Sequence, residues 1–409
     1  MGYSFAAGDV AFLRSVAGRA ALEVASTLAL SPASMIADIG ELRGTYAPFD
    51  AAIIETVTCR RKARTKFRHA EDLLLTDDAV QQATAWPVAQ ARAWEIIRRY
   101  PDSVVHDVTC SVGAELMELS LRLGVTGVIG SDIDPVRVAM AAHNATTVEL
   151  SAPTVLLRAD ALTPTSTADV ILADPARRTG SGRVFRPDQL TPPLFELITV
   201  YAGRPLIVKC APGLDHQNLR DKFGFDGEVQ VTSLDGGVRE TCLWSGPHAR
   251  PLRRATVLRT HERKVSSYEI TDDTDDDVPA AEPGEWIVDP DGAIVRAGLV
   301  RNYAHRHSLW QLDPQIAYLT GDSVPEAGRG FKIIEQTTVS DKALRKALHA
   351  LDCGTLEILV RGLDVDPDAL RKRLKPKGTR PLSLVLTRIG RKGVAFICEP
   401  GVRGGQLAA

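Results

Sequence analysis

The chain has 409 residues, of which 44% are hydrophobic and 24% are charged, and its formal net charge is −2. These values are ordinary for a soluble globular protein, and the length allows two or three domains. The six cysteines are widely spaced and form no C-x-x-C pair, which argues against a metal site or a disulfide framework. The N-terminus has no signal-peptide pattern and no apolar run is long enough to span a bilayer, so we expect a cytoplasmic protein that is not held in a membrane.

Residues 1–98 are predicted to form an N-terminal helical domain. Ala6–Ala29 is rich in Ala, Leu and Val, and Ser31-Pro32 ends this helix and opens the next. A further helix is predicted over Thr76–Ala93, because Thr76 is a suitable N-cap and two acidic residues follow it. This helix leads directly into the first predicted strand, in the position of a lid.

A strongly basic run lies between these helices. Six of the ten residues from Arg60 to His69 are Lys or Arg, and none is acidic. A solvated helix face usually mixes both signs of charge, so the run favours a polyanionic partner, and we expect nucleic acid. The residues of this run that are predicted to contact RNA are Arg60, Arg61, Lys62, Arg64, Lys66 and Arg68.

The segment from Val104 to Pro135 has the order strand, tight turn, helix, strand. Val104–Val108 and Val125–Ser131 are apolar runs, and Ala114–Leu123 between them has apolar residues at helical spacing. This order predicts a βαβ unit, which places a nucleotide-like ligand over the carboxyl ends of its strands.

The turn after the first strand has Asp107, Thr109, Ser111 and Gly113 at alternate positions. Small side chains in such a turn let the backbone approach a ligand closely. The turn lacks the G-x-G-x-x-G fingerprint that holds a pyrophosphate. This difference favours S-adenosylmethionine over a dinucleotide as the cofactor.

Four consecutive predicted strands end in an acid, namely Asp107, Asp132, Asp160 and Asp174. A single Asp at a strand end carries little information, because Asp breaks strands and caps helices. Four in order favour a binding site, with Asp132 placed to accept the ribose hydroxyls and Asp160 near the adenine amino group. The residues predicted to bind the cofactor are Asp107, Thr109, Ser111, Gly113, Asp132, Ile133, Asp160 and Ala161.

The domain that contains this unit is predicted to span residues 99–260. Leu190–Ala202 and Asp215–Phe223 have the pattern of helices, and Pro205–Cys210 that of a fifth strand. Glu228–Leu234 and Glu240–Trp244 flank a turn signal and predict an antiparallel hairpin that closes the sheet.

Residues 261–340 are predicted to hold an acidic linker and an accessory β segment. The stretch 271–285 carries seven acids and no Lys or Arg, so its composition is too polar to form a core. Glu285–Gly298 is predicted to form two strands around the turn signal Asp289-Pro290-Asp291-Gly292.

Residues 341–409 are predicted to form a small α+β domain with helices over Asp341–Leu351 and Pro367–Leu374. This part of the chain has fourteen Lys and Arg against seven Asp and Glu, which favours an RNA partner. The residues predicted to contact RNA here are Arg361, Arg371, Lys372 and Arg373.

These stretches together resemble the bacterial methyltransferases that carry a C-terminal THUMP-like domain. The likeness covers most of the chain and rests on RRKARTKF, TDDAVQQAT, DVTCSVG with SDIDP, DPARR, ILVRGLDVDPDALRKRL and RPLSLVLTRIGRKG. It implies an α/β fold, with a Rossmann-like methyltransferase sheet, an N-terminal helical domain and a small C-terminal α+β (THUMP-like) domain. THUMP domains elsewhere serve RNA-modifying enzymes, so the resemblance also implies a tRNA or rRNA substrate.

The turn resembles the trimethylguanosine synthases as well, which share an Asp-x-x-Cys-x-x-Gly turn and an Asp-Ile-Asp-Pro strand end. These relatives methylate an exocyclic amine of guanine, which implies the same reaction class here. Ser111 is a departure, because these families usually have Gly at that position. Either the serine weakens the binding of the cofactor or its hydroxyl bonds to the ligand.

Transfer to an exocyclic amine needs acceptors for the amine hydrogens, and Asp174 and the carbonyl of Pro175 are the predicted groups. Arg177 lies where amine methyltransferases have a stacking aromatic residue, and a guanidinium can also stack on a base. Arg177 and Arg178 are alternatively contacts to phosphate groups.

Two alternatives stay open. Asp174–Arg177 with Cys210 after the next strand resembles the 5-methyluridine enzymes, in which a Cys attacks the pyrimidine ring before methylation at carbon. A Cys at the end of an apolar strand is usually just buried, however. The other alternative is an RNA-binding module with a degenerate methyltransferase fold, which the loss of turn glycines allows and the four acids oppose.

Overall fold

The computed structural model describes residues 2–177, 190–246, 251–262 and 264–405. The chain divides into two compact units, one of Met1–Gly227 with Thr241–Ala249 and the other of Glu228–Glu240 with Arg250–Ala409. No helix within the described ranges combines the length and the apolar character that crossing a bilayer requires. Arg178, which the sequence predicts as an RNA contact, lies outside the described residues.

The first unit begins with helices, as the sequence predicts. They are α1 (Ala7–Arg14), α2 (Val16–Thr27), α3 (Met35–Tyr46), α4 (Asp50–Ala63), α5 (Asp77–Gln82) and α6 (Trp86–Arg99). Ser15 separates α1 from α2, because its hydroxyl accepts a hydrogen bond from the Gly18 amide at 3.0 Å and caps the second helix. The single helix that the sequence predicts over Ala6–Ala29 is therefore two helices.

The predicted helix Thr76–Ala93 is also interrupted. Thr76 caps α5 by accepting a hydrogen bond from the Ala79 amide, as expected. The helix ends at Gln82, and α6 begins at Trp86 with Pro87 in its first turn. Proline has no amide hydrogen and disfavours helical geometry in the residue before it, so it opens a helix more readily than it continues one.

The rest of the first unit alternates strands with helices. The strands are β1 (Ser103–Asp107), β2 (Val125–Asp132), β3 (Thr154–Arg158), β4 (Val170–Ala173), β5 (Ala176–Arg177), β6 (Leu190–Thr191) and β7 (Leu206–Cys210). The helices among them are α7 (Ala114–Ser120), α8 (Pro135–Asn144), α9 (Leu194–Val200) and α10 (His216–Phe223). Helix α9 starts later than the predicted Leu190, because Pro192 and Pro193 precede it.

The sheet of the first unit has the strand order β7-β4-β1-β2-β3, and all its neighbouring strands are parallel. The second half of a later strand, β9 (Gly237–Ser245), pairs with β7 in the antiparallel direction. The sequence predicts parallel strands closed by a hairpin, and the pairing of β9 with β8 (Glu228–Leu234) on one side and antiparallel to β7 on the other agrees with it. The carboxyl ends of β4, β1, β2 and β3 therefore lie side by side.

Two hydrophobic cores support this sheet. Val105, Leu172 and Trp244 belong to a core on the sheet, and the N-terminal helices bury Leu22 and Ile53 in another. The core of the N-terminal helices also contains Val112, Met117 and Met140 from the segment that follows β1 and from α7 and α8. The helices thus pack directly on the elements that carry the turn after β1.

The second unit is rich in strands. They are β8 (Glu228–Leu234), β10 (Arg253–His261), β11 (Lys264–Thr271), β12 (Trp286–Pro290), β13 (Trp310–Gln311), β14 (Leu319–Gly321), β15 (Gly328–Thr338), β16 (Cys353–Val360), β17 (Arg380–Ile389), β18 (Lys392–Cys398) and β19 (Val402–Arg403). Its helices are α11 (Gly292–Arg296), α12 (Val300–Arg306), α13 (Asp341–Ala350) and α14 (Pro367–Leu374).

One sheet of the second unit has the order β13-β14-β12-β15-β18-β17-β16, with β19 beside β15. Helices α13 and α14 pack on this sheet and bury Leu344, Leu348 and Leu370 in a core with the strands. The predicted helices Asp341–Leu351 and Pro367–Leu374 are confirmed within one residue.

The prediction of two strands over Glu285–Gly298 is wrong for its second half. Strand β12 ends at Pro290, and α11 begins at Gly292. The Asp291 carboxylate accepts a hydrogen bond from the Ala293 amide at 2.9 Å, so the predicted turn is instead a helix N-cap. Ala293, Ile294 and Ala297 are buried at helical spacing.

The acidic stretch 271–285 makes several hydrogen bonds within the second unit. The Asp272 carboxylate accepts from the Leu252 amide at 3.1 Å, and the Asn302 amide donates to the Thr274 carbonyl at 2.6 Å. Arg301 donates to the Asp276 carbonyl at 2.8 Å. The backbone of this stretch is therefore attached to its neighbours, although its side chains contribute little to a core.

Candidate functional site

The four acids that end the predicted strands line a single cavity of about 500 Å³ in the first unit. Asp107, Asp132, Asp160 and Asp174 follow or end β1, β2, β3 and β4, which are neighbours in the sheet. The cavity wall also includes Thr109, Ser111, Ile133 and Ala161. Of the predicted cofactor residues, Gly113 is not part of this wall.

The turn after β1 is fixed by hydrogen bonds to the strand-end acids. The amide of Thr109 donates to Asp107 at 3.1 Å, and the amide of Ser111 donates to Asp132 at 3.0 Å. Ser111 has φ +48° and Gly113 has φ +88°, so both are in the left-handed region. This conformation costs a side-chain residue about 1–2 kcal/mol, which gives a physical reason for glycine at position 111 in the families that the chain resembles.

Asp107 is buried at the base of the cavity, with 2% of its surface exposed. Burial raises the pKa of this carboxyl well above its usual value, and the nearby acids Glu115 and Asp174 raise it further. The hydrogen bond from the Thr109 amide opposes this shift. The surroundings of Asp107 therefore stabilise its negative charge less well than water does.

Glu115, in the first turn of α7, also lines the cavity. Its carboxylate accepts a hydrogen bond from Arg92 of α6 at 2.6 Å, and both side chains are almost fully buried. A cation buried beside Glu115 offsets the cost of removing this carboxylate from water. The ion pair joins the helix before β1 to the helix after it.

Asp132 and Asp160 stabilise the loops that follow β2 and β3. The second oxygen of Asp132 accepts from the Asp134 amide at 2.9 Å, and Asp160 accepts from the Leu162 amide at 2.9 Å. Ile133, which lies between Asp132 and Asp134, is 62% exposed. A large apolar side chain exposed on a cavity wall is suited to pack against a flat apolar ligand group.

Asp174 follows β4 and is held by two neighbours. Its amide donates to the Thr109 hydroxyl at 2.6 Å, and its carboxylate oxygen Oδ2 accepts a hydrogen bond from Lys209 Nζ. Pro175 is buried and is not on the cavity wall. The backbone of Arg177 lies in β5, and its side chain falls outside the described part of the structure.

Helix α5 and the loop after it cover one side of the cavity, through Ala79, Gln82, Ala83 and Thr84. Lys66 holds this cover, because its ammonium donates to the carbonyls of Val80 and Gln81 at 2.7 Å each. A cation at the carbonyl end of a helix also interacts favourably with the helix dipole.

Comparison with known proteins identifies the family. Two proteins of Mycobacterium tuberculosis, from strains CDC 1551 and H37Rv, are each 48% identical to the chain over 369 residues. The match covers 87% of this chain and 98% of each relative, and both relatives are described as uncharacterized S-adenosylmethionine-dependent methyltransferases. The chain belongs to the S-adenosylmethionine-dependent methyltransferases.

Residues 328–400 of the methyltransferase match the model of the THUMP domain-like family. A crystal structure from Porphyromonas gingivalis W83, assigned as a methyltransferase, superposes with a TM-score of 0.76 at 19% identity. The superposition covers 99% of this chain and 100% of that one, so the two share a fold. The predicted fold class, the predicted cofactor and the THUMP-like domain are thereby confirmed.

The basic run of the methyltransferase mostly contacts its own unit. Arg61 donates to the carbonyls of Ala29 and Leu28 after α2, and Lys62 pairs with Asp77 at 2.7 Å. Arg60 donates to the Leu73 carbonyl at 2.8 Å, and Arg68 pairs with Glu118 at 3.2 Å. Arg64 is exposed and makes no hydrogen bond to the described part of the chain.

The predicted RNA contacts of the second unit differ from one another. Arg361 pairs with Asp289 at 2.8 Å, and Arg373 pairs with Asp341 at 3.0 Å. Arg371 donates to the Leu356 carbonyl at 3.0 Å and also pairs with Asp368. Lys372 is exposed and, within the described ranges, has no ion-pair partner.

Cys210 ends β7 as predicted, and its side chain is buried rather than part of the cavity wall. His106 is also buried, with ring nitrogens 2.8 Å from the Ser166 hydroxyl and 3.0 Å from the Ser131 hydroxyl. Burial and the charge of Arg204 lower the pKa of His106 to about 4, so the ring is neutral. His106 therefore has the packing role that its place in a strand indicates.

Glu55, Cys59 and Asp77 bring metal-ligand atoms within 4.8 Å of one another, although the sequence shows no metal-site pattern. Burial and the charge of Glu55 raise the pKa of the Cys59 thiol to about 12. Asp77 already pairs with Lys62 at 2.7 Å. A protonated thiol and a paired carboxylate are poor ligands, so this group acts in the packing of α4 against α5.

Three residues of the site are not predicted from the sequence, namely Lys209, Glu115 and Arg92, because their roles depend on contacts between distant parts of the chain. The cover formed by α5 lies within the helix that the sequence places in the position of a lid. Lys209 had one available signal, because it is a charged residue within the apolar strand PLIVKC. A charge in such a strand is rare unless it is paired.

Proposed function

We propose that the methyltransferase transfers a methyl group to RNA, at an exocyclic amine of a base. The observation that carries the proposal is the combination, in one chain, of an acid-lined cavity at four strand ends with a THUMP-like segment, residues 328–400. The cavity supports the cofactor and reaction class, and the THUMP-like segment supports the RNA substrate.

The acids and the exposed apolar side chain of the cavity wall are suited to S-adenosylmethionine. The cofactor carries a sulfonium and an ammonium group, and the wall offers acids, including the buried and under-compensated Asp107. We assign Asp107 to the ammonium group, Asp132 to the ribose hydroxyls and Asp160 to the adenine amino group, with Ile133 against the adenine ring. Thr109, Ser111 and Ala161 complete the contact surface, and Gly113 permits the turn that carries it.

The bound cofactor supplies an activated methyl carbon and keeps the electron pair of its sulfur–carbon bond. The protein must then place an amine nitrogen at that carbon, so positioning supplies most of the catalysis. Asp174 is on the cavity wall, and its carboxylate oxygen Oδ1 accepts no hydrogen bond from any described residue. We assign this oxygen to the amine hydrogens, whereas the roles of the Pro175 carbonyl and of Arg177 rest on the sequence pattern alone.

The RNA is assigned to the second unit on the grounds of charge. Seven cations of this unit have exposed side chains that form no hydrogen bond or ion pair with the described residues, namely Lys342, Lys346, Lys372, Lys375, Lys377, Arg391 and Lys392. Exposed, unpaired cations are suited to neutralise phosphates, because each contact releases counterions from the nucleic acid. Most cations of the basic run in the first unit already form hydrogen bonds or ion pairs within that unit. Arg64 is therefore the residue of this run that is best placed to contact RNA.

Mass spectrometry of nucleosides tests the proposal. RNA from a strain that lacks the methyltransferase is compared with RNA from its parent and from a strain that expresses the Asp174→Ala variant. We expect one N-methylated nucleoside to be present in the parent and missing from the other two. Identical nucleoside profiles in all three strains would contradict the RNA assignment.

The buried position of Cys210 favours the amine reaction over methylation at a pyrimidine carbon. A carbon methyltransferase needs this thiolate to attack the ring, and Cys210→Ser would abolish its activity. For the amine reaction we expect Cys210→Ser to retain activity, and loss of the methylated nucleoside in this variant would reverse the assignment.

A further inference from the structure

Lys209 lies beside the acid that we assign to the reacting amine. Strands β4 and β7 are parallel neighbours in which Ala173 pairs with Val208, so Asp174, just after β4, lies beside Lys209 within β7. Lys209 Nζ donates to Asp174 Oδ2. The Lys209 side chain is 12% exposed and the Asp174 side chain 35%, so solvent screens this ion pair only in part.

The contact leaves the two oxygens of Asp174 in different states. Oδ2 accepts from Lys209, whereas Oδ1 accepts no hydrogen bond from the described residues. The backbone of Asp174 is also fixed, because its amide donates to the Thr109 hydroxyl at 2.6 Å. A carboxylate held at its backbone and at one oxygen can present the other oxygen in a defined direction.

Several other acids line the cavity wall with Asp174, namely Asp107, Glu115, Asp132, Asp160 and Glu196. The ammonium of Lys209 is a cation in contact with Asp174, and its attraction fixes the orientation of this carboxylate among its acidic neighbours.

We propose that Lys209 is a positioning residue for methyl transfer, which holds one oxygen of Asp174 and directs the other toward an N–H of the substrate amine. This inference rests on the proposed function, in which Asp174 accepts that N–H. Without Lys209 the carboxylate can rotate, and the acceptor that orients the lone pair of the amine is no longer held in one direction.

The test measures methyl transfer from tritium-labelled S-adenosylmethionine to total RNA from a strain that lacks the methyltransferase. Four full-length proteins are compared for kcat and for the KM of RNA: the wild type, Lys209→Met, Lys209→Arg and Lys222→Met. Lys222 is an exposed lysine of α10 and serves as the matched control. Calorimetric titration with S-adenosylmethionine on the same proteins reports folding and cofactor binding independently of transfer.

We expect Lys209→Met to bind the cofactor like the wild type and to have a kcat about 100-fold lower, because Asp174 is no longer oriented. The KM for RNA should change little, since Lys209 acts on Asp174 rather than on the RNA. Lys209→Arg keeps the charge and the hydrogen-bond donors, so it should recover most of the wild-type kcat. Lys222→Met should match the wild type throughout.

The outcomes separate this inference from the proposed function. A wild type that binds the cofactor but transfers nothing to RNA would overturn the proposed function and this inference with it. An active wild type with an equally active Lys209→Met variant would overturn the inference alone. A Lys209→Arg variant as slow as Lys209→Met would also overturn it, because a role that depends on the charged hydrogen bond to Asp174 predicts recovery by arginine.

Discussion

At the scale of single residues, Asp107 is a buried acid on the cavity wall that lowers the stability of the protein when it is ionised. Its folded-state pKa is raised, chiefly by burial and also by Glu115 and Asp174. A carboxyl with a raised pKa costs stability once it ionises. That cost is absent below its unfolded pKa near 4 and grows as pH rises toward the folded value.

We therefore predict that Asp107→Asn stabilises the protein without its cofactor, by about 0.5–2 kcal/mol at neutral pH, as substitutions at strained binding sites often do. The gain should disappear at acid pH, where Asp107 is protonated in both states. The same variant should bind S-adenosylmethionine about 30-fold more weakly, because a buried charge partner is lost. Thermal unfolding and calorimetric titration measure the two effects.

Asp226→Asn is a suitable control for this experiment, because Asp226 is an exposed acid that is not part of the cavity wall. It should change neither stability nor binding. Lower stability of Asp107→Asn than of the wild type at neutral pH would contradict the prediction, because it would mean that Asp107 stabilises the folded protein.

Ser111 gives a second prediction at this scale, because it holds φ +48° while its amide donates to Asp132. Glycine adopts this conformation without strain, whereas alanine keeps the strain and loses the hydroxyl. We expect Ser111→Gly to be about 1 kcal/mol more stable toward urea than Ser111→Ala. Equal stabilities of the two variants would mean that the backbone of the turn is not strained.

At the scale of elements, the sequence predicts the strands with acids at their ends better than it predicts helix boundaries. Apolar runs such as Val125–Ser131 are followed directly by an acid, so β2 and its Asp132 could be located without a structure. The helix predicted over Thr76–Ala93 does not contain the break between α5 and α6, because the prediction takes Pro87 as an interior residue rather than as the start of a second helix. Partners such as Lys209 for Asp174 depend on strand order, which a local pattern does not contain.

Helix α5 is the part of the predicted lid helix that lies on the cavity wall. It has six residues, too few to be stable alone, and Ala79 and Gln82 place it on the cavity wall. Lys66 donates to two of its last carbonyls, at 2.7 Å each. The position of the cover therefore depends on this lysine.

We predict that Lys66→Met weakens the binding of S-adenosylmethionine by about 5- to 10-fold, the loss of one to two hydrogen bonds. Amide hydrogen exchange over residues 77–85 should become faster, while the melting temperature changes little. Arg64→Met is the matched control, because Arg64 is exposed nearby and makes no hydrogen bond in the described part of the chain. Unchanged exchange over 77–85 in Lys66→Met would exclude the lysine as the support of the cover.

At the scale of the whole molecule, the net charge of −2 conceals a separation of charges along the chain. The stretch 271–285 has seven acids and no Lys or Arg, whereas residues 341–409 have fourteen Lys and Arg against seven acids. The sequence predicts this separation fully, because it requires only counting. It does not predict which cations are engaged, and Arg60–Arg68 illustrates this, since most of its cations contact carbonyls and acids of the same unit.

The exposed lysines of the second unit lead to a prediction about salt. The side chains of Lys372 and Lys377 are exposed and have no hydrogen-bond partner within the described ranges. If each neutralises a phosphate, the double variant Lys372→Glu with Lys377→Glu should lower the slope of log affinity against log salt by about 2. Filter binding of total RNA over a range of potassium chloride concentrations measures this slope.

Lys264→Glu provides the control, because Lys264 is exposed at the start of β11 and lies outside the THUMP-like segment. It changes the net charge of the second unit in the same direction, so a general charge effect would lower the slope in this variant too. We expect its slope to equal that of the wild type, since only lysines that touch phosphates release counterions on binding. An unaltered slope in the double variant would place the RNA on another surface, and Arg64 of the first unit would be the next residue to test.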